Sequence, residues 1–225
     1  MKENRVDLFL ATSAAAAAVL LARALPFDKP PAIDRRIRRA ANSPRLRPVA
    51  AAMRPMFPLG LPGGYIAVAY LLARSLRQKG RAGGPAIVTS AWAGWLVHRA
   101  IKLVYQRERP RRRDRRRRIE SYPSGHTTGT TALSVTAARV LSREGAVSHN
   151  AAVALGIVPP LVMGTYRVLA DDHWATDVVG GWLVGAAIGL ACDALLGEAR
   201  SPRALEALHR RGPRRVRRAR PTFGE

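Results

Sequence analysis

The chain has 225 residues, a formal net charge of +23 and an isoelectric point near 11.7, yet 48% of its residues are hydrophobic. Its length fits one domain. Its single cysteine, Cys192, excludes an intrachain disulfide and a Cys/His metal framework, and its apolar surroundings predict a small core residue. Apolar stretches about as long as a bilayer is thick alternate with short basic ones, which is typical of a polytopic membrane protein.

The alternation predicts an all-α fold, a bundle of six transmembrane helices. The predicted spans are residues 8–25, 56–73, 85–104, 127–141, 150–170 and 177–196. The first could instead be a signal peptide, because the charged "MKENR" precedes its apolar stretch. Adjacent prolines predict a kink in the fifth span, and the glycines of the sixth favour close helix packing.

The fourth span differs from the others because it is rich in threonine and contains Arg139. A charged residue inside a membrane helix faces the bundle interior rather than lipid. We therefore expect this helix to be buried among the others.

The segments outside the spans are basic. Residues 28–48 are predicted to be an interfacial, partly helical stretch, and residues 200–225 a flexible basic tail. The predicted organisation is thus one membrane domain over residues 1–199, followed by the tail. Lys and Arg are nearly equal in number on the two predicted sides, so the positive-inside rule does not fix the orientation.

Three polar clusters fall at helix ends that six spans would bring to the same side of the membrane. They are "KLVYQRERP" after the third span (102–110), "PSGH" before the fourth (123–126), and "RVLADDHWATD" between the fifth and sixth (167–177). Together they supply one lysine, two histidines, two arginines and an aspartate that we expect at one surface.

This set of residues suits the chemistry of a phosphomonoester. Lys102, Arg109 and Arg167 could neutralise the phosphate and the charge that develops during its transfer. Ser124 can donate its hydroxyl, and the turn at Gly125 adds backbone N–H groups at a helix N-terminus, which favours an anion. Because arginines take the place of a metal, we expect neither a metal ion nor a cofactor.

The two histidines provide the nucleophile and the acid. His173 and Asp177 are four residues apart and share a helix face, so the carboxylate can orient the imidazole. We therefore predict His173 as the nucleophile, with Asp177 orienting it. His126 is predicted as the general acid for the leaving group and later as the base that activates water.

Other polar residues have two interpretations each. His98 either supports Lys102 or is a packed helix residue. Asp171 and Asp172 either influence His173 or belong to a solvated turn. The basic run at 111–118 either collects anionic headgroups or is a solvated loop.

The motifs resemble the type 2 phosphatidic acid phosphatase superfamily, which includes the vanadium haloperoxidases. The family pattern is K-x6-RP, PSGH and SR-x5-H-x3-D, and residues 102–177 match it except that Tyr166 replaces the serine. The resemblance implies a six-helix membrane fold, a phosphohistidine intermediate and a site near the outer face. It also implies a lipid phosphate substrate: phosphatidic acid, phosphatidylglycerol phosphate, a polyprenyl diphosphate or a similar lipid.

Three functions remain open on these grounds. The first is a lipid phosphatase, an integral protein of a bacterial cell membrane. The second is a phosphotransferase that uses the same site. The third is a membrane-anchored protein that binds anionic lipid or nucleic acid; few aromatic residues accompany the arginines, so no specific nucleic-acid partner is expected. Membrane lipids are the expected surroundings. The sequence leaves the oligomeric state of the protein open.

Overall fold

The computed structural model describes residues 2–26, 29–111 and 120–197, and within them every regular element is helical. The predicted all-α class is therefore confirmed. The helices are α1 (Lys2–Ala24), α2 (Ala32–Ala41), α3 (Arg47–Met53), α4 (Phe57–Gly60), α5 (Pro62–Gln78), α6 (Gly84–Val104), α7 (Gly125–Arg143), α8 (His149–Leu169) and α9 (Ala175–Leu196). The predicted tail and the basic run from 112 onward lie outside the described residues.

The second predicted span is interrupted. Residues 56–73 were expected to form one helix, but α4 ends at Gly60 and α5 begins at Pro62, and the two sides of this break are bent by 66°. Pro58 and Pro62 each stand at the start of a helical segment. Proline lacks the N–H that continues a helix and restricts the residue before it, so each one starts a new segment.

α7 forms the centre of the bundle and packs against α6, α8 and α9. Twelve of its 19 residues are buried, which confirms the prediction that this helix is buried among the others. Three of its threonine hydroxyls donate to carbonyls one turn earlier, as in Thr131 to Thr127 (2.7 Å). Thr136 also donates to the Gly189 carbonyl on α9 at 3.0 Å.

The glycines of α9 permit the close packing that the sequence predicts. A Cβ at Gly185 would lie 2.6 Å from the Thr128 carbonyl oxygen on α7. The two backbones thus approach to a distance that only glycine allows. A Cβ at Gly181 would likewise lie 3.0 Å from the Ser124 carbonyl oxygen, so the first half of α9 lies beside the start of α7.

Arg139 forms ion pairs near the C-terminal end of α7, the end opposite Gly125. Its guanidinium contacts Asp193 at 2.8 Å and also pairs with Asp7. Arg143 reaches the same Asp193 carboxylate at 2.8 Å. The charge that marked this span as unusual is therefore matched by carboxylates from α1 and α9.

Three of the described helices, α1, α8 and α9, are long and apolar enough to cross a membrane, and the bent pair 44–60 and 62–78 makes a fourth if it is one span. α6 and α7 carry more polar residues and do not meet this measure. The six-span topology therefore stays a prediction. α8 continues through Pro159 and Pro160 as one helix.

Candidate active site

A cavity of about 1170 Å³ lies where α6 ends and where α7 and the α8–α9 turn begin. Six of the eight residues predicted for the site line it: Lys102, Arg109, Gly125, His126, Arg167 and His173. The other two, Ser124 and Asp177, are fully buried behind this lining. The three clusters predicted from helix ends are thus brought together.

Two of the predicted cations converge on one carbonyl. Lys102 Nζ and Arg109 Nη2 both donate to the Glu120 carbonyl oxygen, the latter at 3.0 Å. Arg109 Nη1 also donates to the Asp172 carbonyl at 3.0 Å. The loop after α6 is therefore tied to the residues before α7 and to the α8–α9 turn, and its positive charge faces the cavity.

Arg167 is nearly buried at the end of α8. Its guanidinium carbon lies 5.4 Å from the centre of the Phe57 ring, in cation–π contact. Asp172 Oδ2 is 3.2 Å from Arg167 Nη1, but the two are not aligned as a hydrogen bond. Among the described residues, Arg167 Nε and Nη1 have no hydrogen-bond acceptor, so this arginine retains donors for an anion.

His173 lies in the turn between α8 and α9 and is 3% exposed. Its Nε2 is 3.3 Å from Arg109 Nη1, and its Nδ1 is 3.5 Å from Asp177 Oδ2. The second distance exceeds a good hydrogen bond by about 0.5 Å. Burial, followed by the nearby charges of Arg109 and Arg167, lowers the pKa of His173 well below its ordinary value. The imidazole is therefore neutral at pH 7.

Asp177 is held on both oxygens by other residues. Oδ1 accepts from Arg107 at 2.6 Å, and Oδ2 accepts from the Ser121 hydroxyl at 2.5 Å and the Trp174 N–H at 3.0 Å. The last of these contacts belongs to the capping of α9. A carboxylate with this many donors has a fixed orientation.

His126 begins α7 and packs under the broken second helix. Its ring centre is 4.9 Å from that of Phe57, and Gly60 lies against its edge. Its Nε2 is buried, with no hydrogen-bond partner in the described part of the chain. His126 thus presents an unsatisfied ring nitrogen at the cavity.

Ser124 and Gly125 occupy the turn that starts α7. The Ser124 Oγ accepts from the Thr127 hydroxyl at 2.9 Å, and its N–H donates to the Asp177 carbonyl at 3.0 Å. His98 packs directly on Gly125 and is bonded to the Gly94 carbonyl at 2.8 Å. His98 is therefore both a packed helix residue and part of the lining.

The two aspartates before His173 diverge. Asp172 lines the cavity, whereas Asp171 is bound by Arg38 of α2 at 2.7 and 2.9 Å. Asp171 has φ 58°, in the left-handed region that Asp tolerates better than most residues. The turn that carries His173 is thus anchored on α2.

Several residues at the site were missed in the sequence. Arg107 lies inside the first motif but was not singled out, although an arginine between two motif positions was a signal. Phe57 and Gly60 were assigned to the middle of a span, and only the neighbouring prolines pointed to a break there. Asp34 is the only acid among the basic residues of α2, and nothing in its sequence surroundings singled it out.

Residues 82–200 match the family model described as the PAP2 superfamily. No curated protein matches this chain in sequence. Among solved structures, the chain is similar to one described as the first transmembrane PAP2 type phosphatidylglycerolphosphate phosphatase from Bacillus subtilis, with a TM-score of 0.73 and 19% identity over 85% of this chain and 98% of that chain. At that identity the likeness shows the fold.

Proposed function

The chain belongs to the PAP2 superfamily, and from that premise we propose that it is a membrane phosphatase that hydrolyses a lipid phosphate or diphosphate through a phosphohistidine. The observation that carries the proposal is the convergence of Lys102, Arg109, Arg167 and two histidines on one cavity. Six basic and only two acidic side chains line it, so it favours an anion.

The composition of the cavity wall supports a lipid substrate. The side formed by α3, α4 and the turns around them is largely apolar, as is Trp95 of α6. An amphiphile could therefore place its phosphate against the cations and its first apolar groups against this wall. Beside Arg54 and Gly60, the lining residues on that side are apolar: Ala51, Pro55, Phe57, Pro58, Leu61 and Pro62.

In the first step His173 Nε2 attacks phosphorus. An N–P bond forms, the bond from phosphorus to the lipid oxygen breaks, and His126 gives that oxygen its proton. Asp177 accepts the Nδ1 proton of His173 in a hydrogen bond once the 3.5 Å separation closes. Arg109 and Arg167 stabilise the charge on the three equatorial oxygens.

In the second step water attacks the phosphohistidine. His126, now neutral, removes a proton from the water, the N–P bond breaks, and inorganic phosphate leaves. Ser124 and the N–H groups at Gly125 are proposed to bind the phosphate from the start of α7. Tyr166 replaces the family serine and packs edge-on to Phe57 at 6.5 Å, so the hydrogen bond of that serine is replaced by aromatic packing.

The test is phosphate release by purified protein in detergent micelles. Phosphatidic acid, phosphatidylglycerol phosphate and a polyprenyl diphosphate are each offered, with an acceptor alcohol in a parallel series. We expect phosphate from at least one lipid and a loss of about 10³-fold or more in His173→Ala. His149→Ala, at an exposed residue that starts α8, is the matched control and should stay within about twofold of the wild type.

Three other results of the assay would change the proposal. Wild-type protein that releases no phosphate from any of the three lipids contradicts the proposal. Transfer to the alcohol in place of hydrolysis indicates the phosphotransferase. Equal activity of His173→Ala and wild type removes His173 as the nucleophile.

We also propose that the protein is integral to a bacterial cell membrane, with its site on the outer face. Cys192 is the only cysteine, so a Cys192→Ser background allows single cysteines to be placed at either end of the bundle. An impermeant maleimide on intact cells should label Arg36→Cys, on the site side, but not Ala146→Cys, beyond α7. The reverse labelling pattern would place the site inside.

A further inference from the structure

α2 makes specific contacts with the segment that carries His173, although it lies outside the residues matched by the family model. Asp34 of α2 is 1% exposed, and its Oδ2 contacts Arg107 Nη2 at 2.7 Å. Arg107, itself 3% exposed, uses its other terminal nitrogen to contact Asp177 Oδ1 at 2.6 Å. A single guanidinium therefore bridges a carboxylate of α2 and the carboxylate beside His173.

Thr176 closes this arrangement into a ring. Its hydroxyl donates to Asp34 Oδ2 at 2.6 Å and accepts from Arg107 Nη1 at 2.7 Å. Its backbone N–H donates to Asp34 Oδ1 at 3.0 Å, so Asp34 also accepts from the first turn of α9. Every oxygen of Asp34 and both terminal nitrogens of Arg107 have partners, which is the condition for a buried polar network to fix one geometry.

We propose that Asp34 and Arg107 are positioning residues for phosphoryl transfer: they fix the carboxylate of Asp177 and, through it, the ring of His173. This inference rests on the proposed function, since it assigns a role within that reaction. Neither residue lines the cavity. Their effect therefore passes through Asp177.

The charge arrangement supports a role in orientation. Two carboxylates share the single positive charge of Arg107, so the guanidinium fully neutralises neither of them. When Asp34 loses its charge, Arg107 interacts more strongly with Asp177 and draws that carboxylate away from the 3.5 Å contact with His173. The nucleophile then loses its orienting partner while the cations of the cavity stay in place.

A second contact holds the same turn on the other side of His173. Arg38, one turn after Asp34 on α2, binds Asp171 through two nitrogens, and Asn42 adds a contact at 3.3 Å. α2 thus holds the chain both before and after His173. The burial of Asp34 among exposed arginines is explained by this placement.

The experiment is a double-mutant cycle on the full chain with Asp34→Asn, Arg107→Gln and the double variant. Steady-state kcat and KM are measured, together with the single-turnover rate of phosphoenzyme formation. We expect Asp34→Asn to lower kcat and the phosphorylation rate about tenfold while KM changes less than twofold. The loss should be at least fivefold smaller when Arg107 is already Gln, because Asp34 acts through that residue.

Arg39→Gln, exposed on the same helix, is the control and should match the wild type. Thr176 gives a test that removes no charge: Thr176→Val should lower kcat, and Thr176→Ser, which retains the hydroxyl, should restore it. If Asp34→Asn does not fold, the two Thr176 variants test the positioning role in its place.

The two failures are distinguishable. If the wild type forms no phosphoenzyme and releases no phosphate, the proposed function fails. If the wild type is active but Asp34→Asn and Thr176→Val behave like Arg39→Gln, the function stands and the positioning role is refuted. Additive losses in the cycle, or losses confined to KM, would also refute it.

Discussion

The two ends of the central helix α7 both gather arginines, but the arginines meet different partners. At the far end, Arg139 and Arg143 both contact the carboxylate of Asp193, and Arg139 also contacts that of Asp7. At the site end, Lys102 and Arg109 both donate to backbone carbonyls. Six basic and two acidic side chains line the cavity, so the site end has an excess of positive charge, whereas carboxylates contact both arginines at the far end.

The comparison separates two uses of buried charge. The far end matches its charges and so stabilises the packing of α1, α7 and α9. The site end keeps buried donors on Arg167, and the buried Nε2 of His126, without a hydrogen-bond partner in the described residues. Such donors carry a free-energy cost that binding of an anion would offset. Substitutions at the two ends should therefore have opposite effects on activity and stability.

The largest expected effect is at Arg167. Arg167→Gln removes a buried cation aimed at the cavity, and we expect kcat to fall about 10²–10³-fold, as when a transition-state donor is lost. Its thermal unfolding should change little, because removing a buried cation whose Nε and Nη1 have no hydrogen-bond acceptor in the described residues offsets the lost contacts with Phe57 and Asp172. The measurement is the rate of lipid phosphate hydrolysis. The control is Arg77→Gln, at an exposed residue near the end of α5 that lies away from the cavity. A loss below twofold would mean that Arg167 does not touch the phosphate.

The opposite pattern is expected at Asp193. Asp193→Asn leaves Arg139 and Arg143 without their shared carboxylate, and we expect about 2 kcal/mol of stability to be lost, less than for fully buried pairs because both arginines are partly exposed. The activity of each folded molecule should stay within about twofold. Chemical unfolding in detergent and an assay normalised to folded protein measure the two quantities. A tenfold fall in activity with unchanged stability would remove the distinction between the ends.

A smaller effect is expected at Gly60, where the broken helix meets His126. A Cβ there would lie 2.5 Å from His126 Cδ2 and 2.7 Å from Met163 Sδ. Gly60→Ala should therefore displace the proposed acid, with kcat about tenfold lower and about 1–2 kcal/mol less stability. Gly63→Ala is the matched control, since no packing neighbour lies within 4 Å of the position that a Cβ at Gly63 would take. Equal activity of the two variants would show that His126 tolerates displacement.

The smallest effect concerns pH. The pKa of His173 is lowered in the folded protein, whereas the unfolded chain takes up a proton near pH 6.5. The unfolded state therefore binds more protons as the pH falls below 6.5, and the folded state loses stability there by up to about 1.4 kcal/mol per pH unit. Between pH 6.5 and 5.5 the wild type should lose about 1 kcal/mol more than His173→Gln. Parallel losses in the two proteins would contradict a neutral buried His173.

Much of the site could be predicted because its motifs stand at helix ends. The order of apolar stretches, with polar clusters where the third, fourth and fifth end or begin, predicted that Lys102, Arg109, His126, Arg167 and His173 come together, and the structure places all five around one cavity. The ends of α6, α8 and α9 were predicted within two residues because apolar runs stop sharply there.

The rest depends on contacts that the local sequence does not specify. Asp34 meets Arg107 across 73 positions, and nothing near Asp34 distinguishes it from a solvated acid among arginines. The break between α4 and α5 was missed because hydropathy averages over the prolines that interrupt the helix. The packing of Phe57 on His126 follows from that break, so it was missed as well.

The most direct test of the account is to trap the phosphoenzyme. Wild-type protein is mixed with a lipid labelled in its terminal phosphate, quenched in base, digested and analysed by mass spectrometry, beside His173→Ala and His149→Ala. We predict an acid-labile, base-stable phosphoryl group on His173 in the wild type and in His149→Ala, and none in His173→Ala. A label on another residue, or full turnover by His173→Ala, would contradict the central claim that the cationic end of the bundle holds a nucleophilic histidine.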